Sequence, residues 1–119
     1  MIQEPDSTLV FSSDPTGPTV TMTQTNDVGF GPEVAMVPFG QAAAGTYTVG
    51  LGPRCGWHDT TATVVVKTNV GTAQEQSRTY TIPYTFPADL TAVMPGNPYD
   101  CPIKVCYVTY PGGTIVDAD

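Results

Sequence analysis

The chain has 119 residues, of which 11 are acidic and 4 basic, so its formal charge is −7 and its length suits one domain with one core. Glycine and proline supply 12 residues each, and the longest stretch without either, residues 57–70, is rich in β-branched side chains. This pattern excludes a helical bundle and a βαβ fold, because both need long helices. A hydrophobic fraction of 40% and a charged fraction of 13% exclude an intrinsically disordered chain.

The basic residues Arg54, Lys67, Arg78 and Lys104 are scattered along the sequence. Nucleic-acid backbones and anionic membrane surfaces are bound by clustered cations, so we expect neither as a partner. Glycines and prolines interrupt the long uncharged stretch at 34–53, which therefore cannot form a membrane-spanning helix. The acidic N-terminus lacks the layout of a signal peptide, so we expect synthesis inside a cell or removal of an upstream segment.

Turn residues recur roughly every eight to twelve positions, a spacing typical of an all-β sandwich or barrel. Residues 1–18 are polar and contain three prolines, which predicts an extended N-terminal arm, followed by a sandwich domain over residues 19–119. We expect Leu9, Val10 and Phe11 in this arm to form an interface with a neighbouring subunit. The alternative is that they form a first strand of the chain's own sandwich. The predicted strands are 9–12, 19–25, 33–39, 45–51, 61–67, 78–86, 90–94, 103–110 and 114–116.

Alternating apolar and polar side chains, clearest over 45–51 and 61–67, predict half-buried strands. Pro83 lacks a backbone donor, so strand 78–86 should lie at a sheet edge or bulge there. We predict a single antiparallel β-sandwich, immunoglobulin-like or jelly-roll-like, with seven to nine strands and essentially no helix. The residues predicted to form its core are Val20, Met22, Tyr47, Val49, Ala62, Val64, Val66, Tyr80, Ile82, Ile103 and Val105.

The three cysteines and the single histidine allow three interpretations. Cys55, His58, Cys101 and Cys106 have the ligand types of a tetrahedral zinc site, and the first pair has the usual spacing. The second pair is spaced more loosely, and in a regular strand Cys106 would share a face with Lys104 and point away from Cys101. A Cys55–Cys101 disulfide and unpaired thiols are the other two interpretations. We expect no bound zinc and no other cofactor.

The only tryptophan, Trp57, lies in the same loop as the histidine. Together with Tyr99, Tyr107 or Tyr110 it is a candidate aromatic platform for stacking against a sugar. The alternative is that Trp57 closes one end of the sandwich. The sequence has no arrangement typical of a hydrolytic triad and no glycine-rich phosphate loop before a helix. We therefore expect no enzymatic activity.

The chain resembles the small accessory cement or decoration proteins that stud the capsids of tailed bacteriophages. The resemblance lies in length, in a composition rich in threonine, valine, glycine and proline, in the predicted arm, and in the lack of catalytic signals. No sequence motif carries it. The resemblance implies a structural virion protein on the capsid exterior. Such a protein binds the major capsid protein and itself, as a dimer or trimer, and stabilises the capsid lattice.

A second interpretation is an immunoglobulin-like or carbohydrate-binding module of a larger surface or phage tail protein, located extracellularly or at the cell surface. Such a module would be monomeric and would bind its ligand through Trp57 and nearby tyrosines. A decoration protein would instead form oligomers or bind capsids. A third interpretation, a zinc-stabilised structural domain, is distinguished by metal analysis.

Overall fold

The computed structural model describes residues 1–10, 15–24, 32–38, 40–51, 60–84 and 103–118. Within these ranges the chain is all-β and contains no helix, and hence none that could cross a bilayer. The prediction of an all-β antiparallel fold is therefore confirmed. The strands are β1 (Ile2–Gln3), β2 (Leu9–Val10), β3 (Thr21–Gln24), β4 (Val34–Met36), β5 (Gly45–Leu51), β6 (Thr60–Thr68), β7 (Gln76–Tyr84), β8 (Ile103–Tyr110) and β9 (Thr114–Asp117).

The described strands form three antiparallel sheets. The largest has five strands in the order β2–β1–β5–β8–β9, and β3–β4 and β6–β7 form two-stranded sheets. This set of sheets is compatible with a β-sandwich. Pro83 pairs with Thr61 in regular register. Because β7 is one of only two strands in its described sheet, the expected edge position of this proline is confirmed.

One face of the five-stranded sheet, which we call the inner face, carries the core. Residues opposite each other in an antiparallel ladder share a face, so the register identifies its members. Four of them, Val10, Tyr47, Cys106 and Ile115, are at most 3% exposed. Val20 and Met22 from the β3 region pack with Val10 and Tyr47 in one cluster. The inner-face rows are Val10–Ile2–Val49–Cys106–Asp117 and Tyr47–Val108–Ile115.

The predicted core is confirmed in part. Val20, Met22, Tyr47 and Val105 are buried, whereas Val49 and the predicted residues of the β6–β7 hairpin are half-buried. The hairpin residues alternate as predicted, since their neighbours on the other face are exposed. They remain half-buried because the hairpin is a separate two-stranded sheet. These half-buried residues are Ala62, Val64, Val66, Tyr80 and Ile82, and the side chain of Ile103 lies outside the described residues.

A β-bulge in β8 breaks the alternation that was expected there. Val49 pairs with Cys106 while Gly50 pairs with Lys104, so Val105 is an extra residue on the β8 side. As a result Val105 and Cys106 are buried in succession, whereas Lys104 is exposed. The expectation that Cys106 shares a face with Lys104, which assumed a regular strand, is therefore wrong.

The N-terminal segment is part of the chain's own sheet, which corrects the prediction of an arm over residues 1–18. Ile2 pairs with both Val49 of β5 and Val10 of β2. Val10 is 0% exposed within the core, so it cannot serve as an intersubunit contact. Leu9 is half-buried in β2, and Phe11 lies outside the described residues. A strand of two residues is too short to show an alternating pattern, which is why β1 was not predicted.

The buried side chain of Glu4 connects this N-terminal hairpin to the β3 region. Its carboxylate is almost completely buried and accepts hydrogen bonds from the backbone amides of Thr19 and Val20. The Thr19 hydroxyl donates a third, at 3.0 Å. The polar composition of residues 1–18, which predicted an arm, therefore includes a carboxylate that holds the segment in place.

Candidate interaction surface

The second face of the five-stranded sheet, which we call the outer face, carries two rows of uncharged side chains. Its only charged side chain among the described residues is Lys104, which lies opposite Gly50 near the start of β8. The ladder pairings place one residue from each strand in a continuous row, and a second row runs beside it across β5, β8 and β9. In the described structure these side chains are half-buried or exposed. The rows are Leu9–Gln3–Thr48–Tyr107–Val116 and Thr46–Thr109–Thr114.

The lack of charge in these two rows contrasts with the net charge of −7. The acidic residues that the structure describes lie elsewhere, in the core, in turns and at strand ends. Neutral hydroxyl and amide groups lose less hydration energy on burial than ions do. A partner can therefore cover the outer face at a lower desolvation cost than it could cover the acidic turns. The described acids are Glu4, Asp6, Glu33, Glu75 and Asp117.

Tyr107 occupies the β8 position of the first row, between Thr48 and Val116. Val116 is 51% exposed although it is a large apolar residue. With strands spaced about 4.8 Å apart, the row extends roughly 20 Å. Tyrosine is enriched at protein–protein interfaces, where charged residues are depleted. Tyr107, with its uncharged neighbours, is therefore the position of the outer face that best matches the composition of an interface centre.

The β6–β7 hairpin is attached to the β8–β9 end of the large sheet at two places. Near its turn, the Thr68 hydroxyl donates to the carbonyl of Gly113 at 2.7 Å, and the Asn69 amide donates to the carbonyl of Gly112 at 3.2 Å. Further along the hairpin, the side chains of Arg78 and Tyr80 in β7 donate hydrogen bonds to Asp117 of β9. These contacts fix the position of the hairpin relative to β9.

Asp117 Oδ1 accepts hydrogen bonds from Arg78 Nη1 and from the Tyr80 hydroxyl, each at 2.7 Å. These two bonds lower the pKa of Asp117, with the Tyr80 bond contributing most. Desolvation, followed by the bond to Asp117, raises the pKa of Tyr80 to about 12. Burial likewise raises the pKa of the Cys106 thiol, while a hydrogen bond with Tyr80 acts in the opposite direction. The neutral phenol of Tyr80 and the Arg78–Asp117 ion pair therefore join the hairpin to the five-stranded sheet.

The face of the β6–β7 hairpin opposite its half-buried residues is also rich in threonine, and its side chains are exposed. Val65 is 55% exposed on this face. Lys67 is its only charged member, and none of its members is acidic. The face consists of Thr61, Thr63, Val65 and Lys67 from β6, with Ser77, Thr79, Thr81 and Pro83 opposite them in β7.

Most residues of the zinc set, the disulfide and the aromatic platform lie outside the described residues, so these three interpretations stay open hypotheses. These residues are Cys55, Trp57, His58, Tyr99 and Cys101. Three candidates for these sites are described, and one of them, Tyr107, lies on the outer face. Cys106 is a buried free thiol on the inner face, and Tyr110 is half-buried and packs against the core cluster. In the part of the chain that the structure describes, no three histidine, cysteine or acidic side chains come together to hold a metal ion.

The outer face was not identified from the sequence as a site. Its signal is the lack of charge at positions 46 and 48 of one strand and 107 and 109 of the other, but the rows become visible only when register aligns the strands. No family model, curated protein or solved structure matches this chain.

Proposed function

We propose that the chain is a structural virion protein that decorates the capsid of a tailed bacteriophage. It binds the major capsid protein through the outer face and acts as an oligomer on the capsid exterior. The observation that carries this proposal is the outer face itself, whose two rows contain no charged side chain and whose only described charge is Lys104 at one end, in a chain of net charge −7.

A capsid presents a large, repeated protein surface, and a flat sheet face is suited to covering the joint between two of its subunits. Truncation of a central aromatic residue commonly costs the most binding energy in such interfaces. We therefore assign Tyr107 as the central contact, with Thr46 and Thr114 at the exposed end of the face.

The test begins with the gene that neighbours the one encoding this chain. We expect a major capsid protein, and the purified chain should co-sediment saturably with shells assembled from it. Thr46→Lys, which places a charge on the outer face, should weaken this binding roughly tenfold or more, because the lysine must be desolvated. Thr81→Lys is the matched control, because it places the same charge on an exposed strand position of the hairpin.

Three outcomes contradict the proposal: no capsid gene beside this one, no binding to the shells, or equal weakening by the two variants. A monomeric chain that binds an oligosaccharide array through Trp57 would instead favour the immunoglobulin-like or carbohydrate-binding module. Because Tyr110 packs against the core, such a ligand site would depend on the other aromatic residues.

A further inference from the structure

Strand β6 has a long edge that no described strand covers. It spans nine residues, Thr60–Thr68, and β7 is its only partner among the residues that the structure describes. It contains no proline and no glycine, and Lys67 is its only charged residue. An edge strand of this length and β-branched composition is a template for pairing with another chain unless it is protected by proline, charge or a bulge. The edge of β7, by contrast, carries Pro83.

We propose that β6 pairs with β6 of a second copy of this chain, antiparallel about a twofold axis. The two hairpins then form a continuous four-stranded sheet in the order β7–β6–β6–β7. Such pairing adds roughly one main-chain hydrogen bond for each paired residue. It also relieves the marginal stability of an isolated two-stranded sheet. Because the interface is the same strand on both copies, the assembly closes at two subunits.

The sequence of β6 is compatible with itself in this pairing. Full overlap of Thr60–Thr68 with its copy centres the pairing on Val64 and places Ala62 opposite Val66 of the partner subunit. The half-buried residues of both copies then lie on one side of the new sheet, and the exposed ones on the other. Thr63 lies opposite Val65 of the partner subunit. Threonine–valine pairs of this kind are well accommodated across antiparallel strands.

The charge distribution favours this edge over other surfaces. Two copies that each carry −7 repel each other, but β6 and β7 contain no acidic residue and carry the cations Lys67 and Arg78. In the centred register the Lys67 side chains lie at opposite ends of the pairing, roughly 20 Å apart. That separation exceeds the screening length of roughly 8 Å at physiological salt, so the two lysines do not oppose association.

Sedimentation equilibrium of the purified full chain tests the inference without any capsid, so its outcome does not depend on whether the chain binds the major capsid protein. We expect a dimer. The variant Thr63→Lys/Val65→Lys places two lysines directly opposite two lysines across the twofold axis and should raise the dimer dissociation constant roughly tenfold or more. The matched control Thr79→Lys/Thr81→Lys adds the same charge to the same face, at the positions of β7 that pair with 65 and 63. This control should remain dimeric.

A third variant, Thr63→Lys/Val65→Glu, places opposite charges across the same axis and should restore the dimer. It also keeps the test decisive if the double-lysine variant fails to fold. Dissociation of the β6 double-lysine variant alone, with recovery in the lysine–glutamate variant, supports β6 pairing. The inference is overturned by a wild-type monomer or trimer, by equal dissociation of the β6 and β7 variants, or by a folded lysine–glutamate variant that remains monomeric.

Discussion

The carboxylate of Glu4 accepts a hydrogen bond of 2.7 Å from the backbone amide of Val20, and both residues lie in the core. Glu4 follows β1 directly, whereas Val20 precedes β3, so this bond joins the five-stranded sheet to the β3–β4 sheet. Charge-assisted bonds to backbone amides are stronger than neutral ones, and a buried polar group left without a partner is costly. The Glu4 carboxylate is therefore a determinant of how the N-terminal segment docks.

We expect Glu4→Gln to lower the free energy of unfolding by about 2–4 kcal/mol, because it removes the charge and turns an amide donor towards backbone donors. Urea denaturation measures the change. Glu75→Gln is the matched control, since Glu75 is exposed in the hairpin turn and accepts a bond from the Gly71 amide at 3.2 Å. Equal effects of the two variants would show that the Glu4 bonds do not hold the segment in place.

Val10→Ala should destabilise the fold by about 1–3 kcal/mol, because the side chain is 0% exposed and its removal leaves a cavity. Val116→Ala serves as the control, since Val116 also lies on an edge strand of the same sheet but is 51% exposed. Its effect should stay within about 0.5 kcal/mol. If thermal and urea denaturation showed the same loss of stability for both variants, residues 1–10 would not belong to the core.

Gly17 lies so close to Glu4 and Val10 that there is no room for a side chain at position 17. An added Cβ would lie 2.6 Å from Val10 Cγ2 and closer still to Glu4 Oε1. We therefore expect Gly17→Ala to cost about 1–3 kcal/mol in unfolding free energy through overpacking. Gly112→Ala is the comparison variant, because its nearest neighbour would be Thr114 Oγ1 at an ordinary 3.6 Å. A Gly17→Ala protein as stable as this comparison would contradict the packing described for Glu4 and Val10.

The longer strands could be predicted from sequence because alternation needs several residues to be visible. The predictions 45–51 and 103–110 coincide with β5 and β8, and 61–67 lies within β6. Two-residue strands contain no period, so β1 was missed and residues 1–18 were interpreted as an arm. The bulge at Val105 also has no sequence signature in this strand, which led to the wrong orientation for Cys106. Strand 90–94 lies outside the described residues.

The candidate surface was less predictable than the strands, for a physical reason. A single strand shows which of its residues share a face, but only register shows which residues of different strands become neighbours. Tyr107 was considered as part of an aromatic platform with Trp57, whereas the ladder places it between Thr48 and Val116. The neutral composition of the strands was visible in the sequence. Their alignment into continuous uncharged rows on one face was not.

The Tyr80 hydroxyl couples the stability of the fold to alkaline pH. Burial and the bond to Asp117 raise the pKa of Tyr80 to about 12, compared with 10.0 for an unperturbed tyrosine. Between these values the unfolded chain loses the phenolic proton while the folded chain keeps it. The stabilising contribution of Tyr80 is therefore fully present below pH 10.0 and is lost as the pH rises towards about 12.

We expect the unfolding free energy of the wild-type protein to fall more steeply with pH over this alkaline range than that of Tyr80→Phe, which has no proton to lose there. Urea denaturation at a series of pH values measures the slopes, and tyrosinate absorbance identifies the titration near pH 12.

Asp117→Asn should shift that titration to lower pH, because it removes the carboxylate that accepts the hydrogen bond from the Tyr80 hydroxyl. Tyr107→Phe changes a tyrosine on the outer face and should leave the Tyr80 titration in place. If Tyr80→Phe retained the same titration and slope as the wild type, the hydroxyl would not be held by Asp117 in the folded protein.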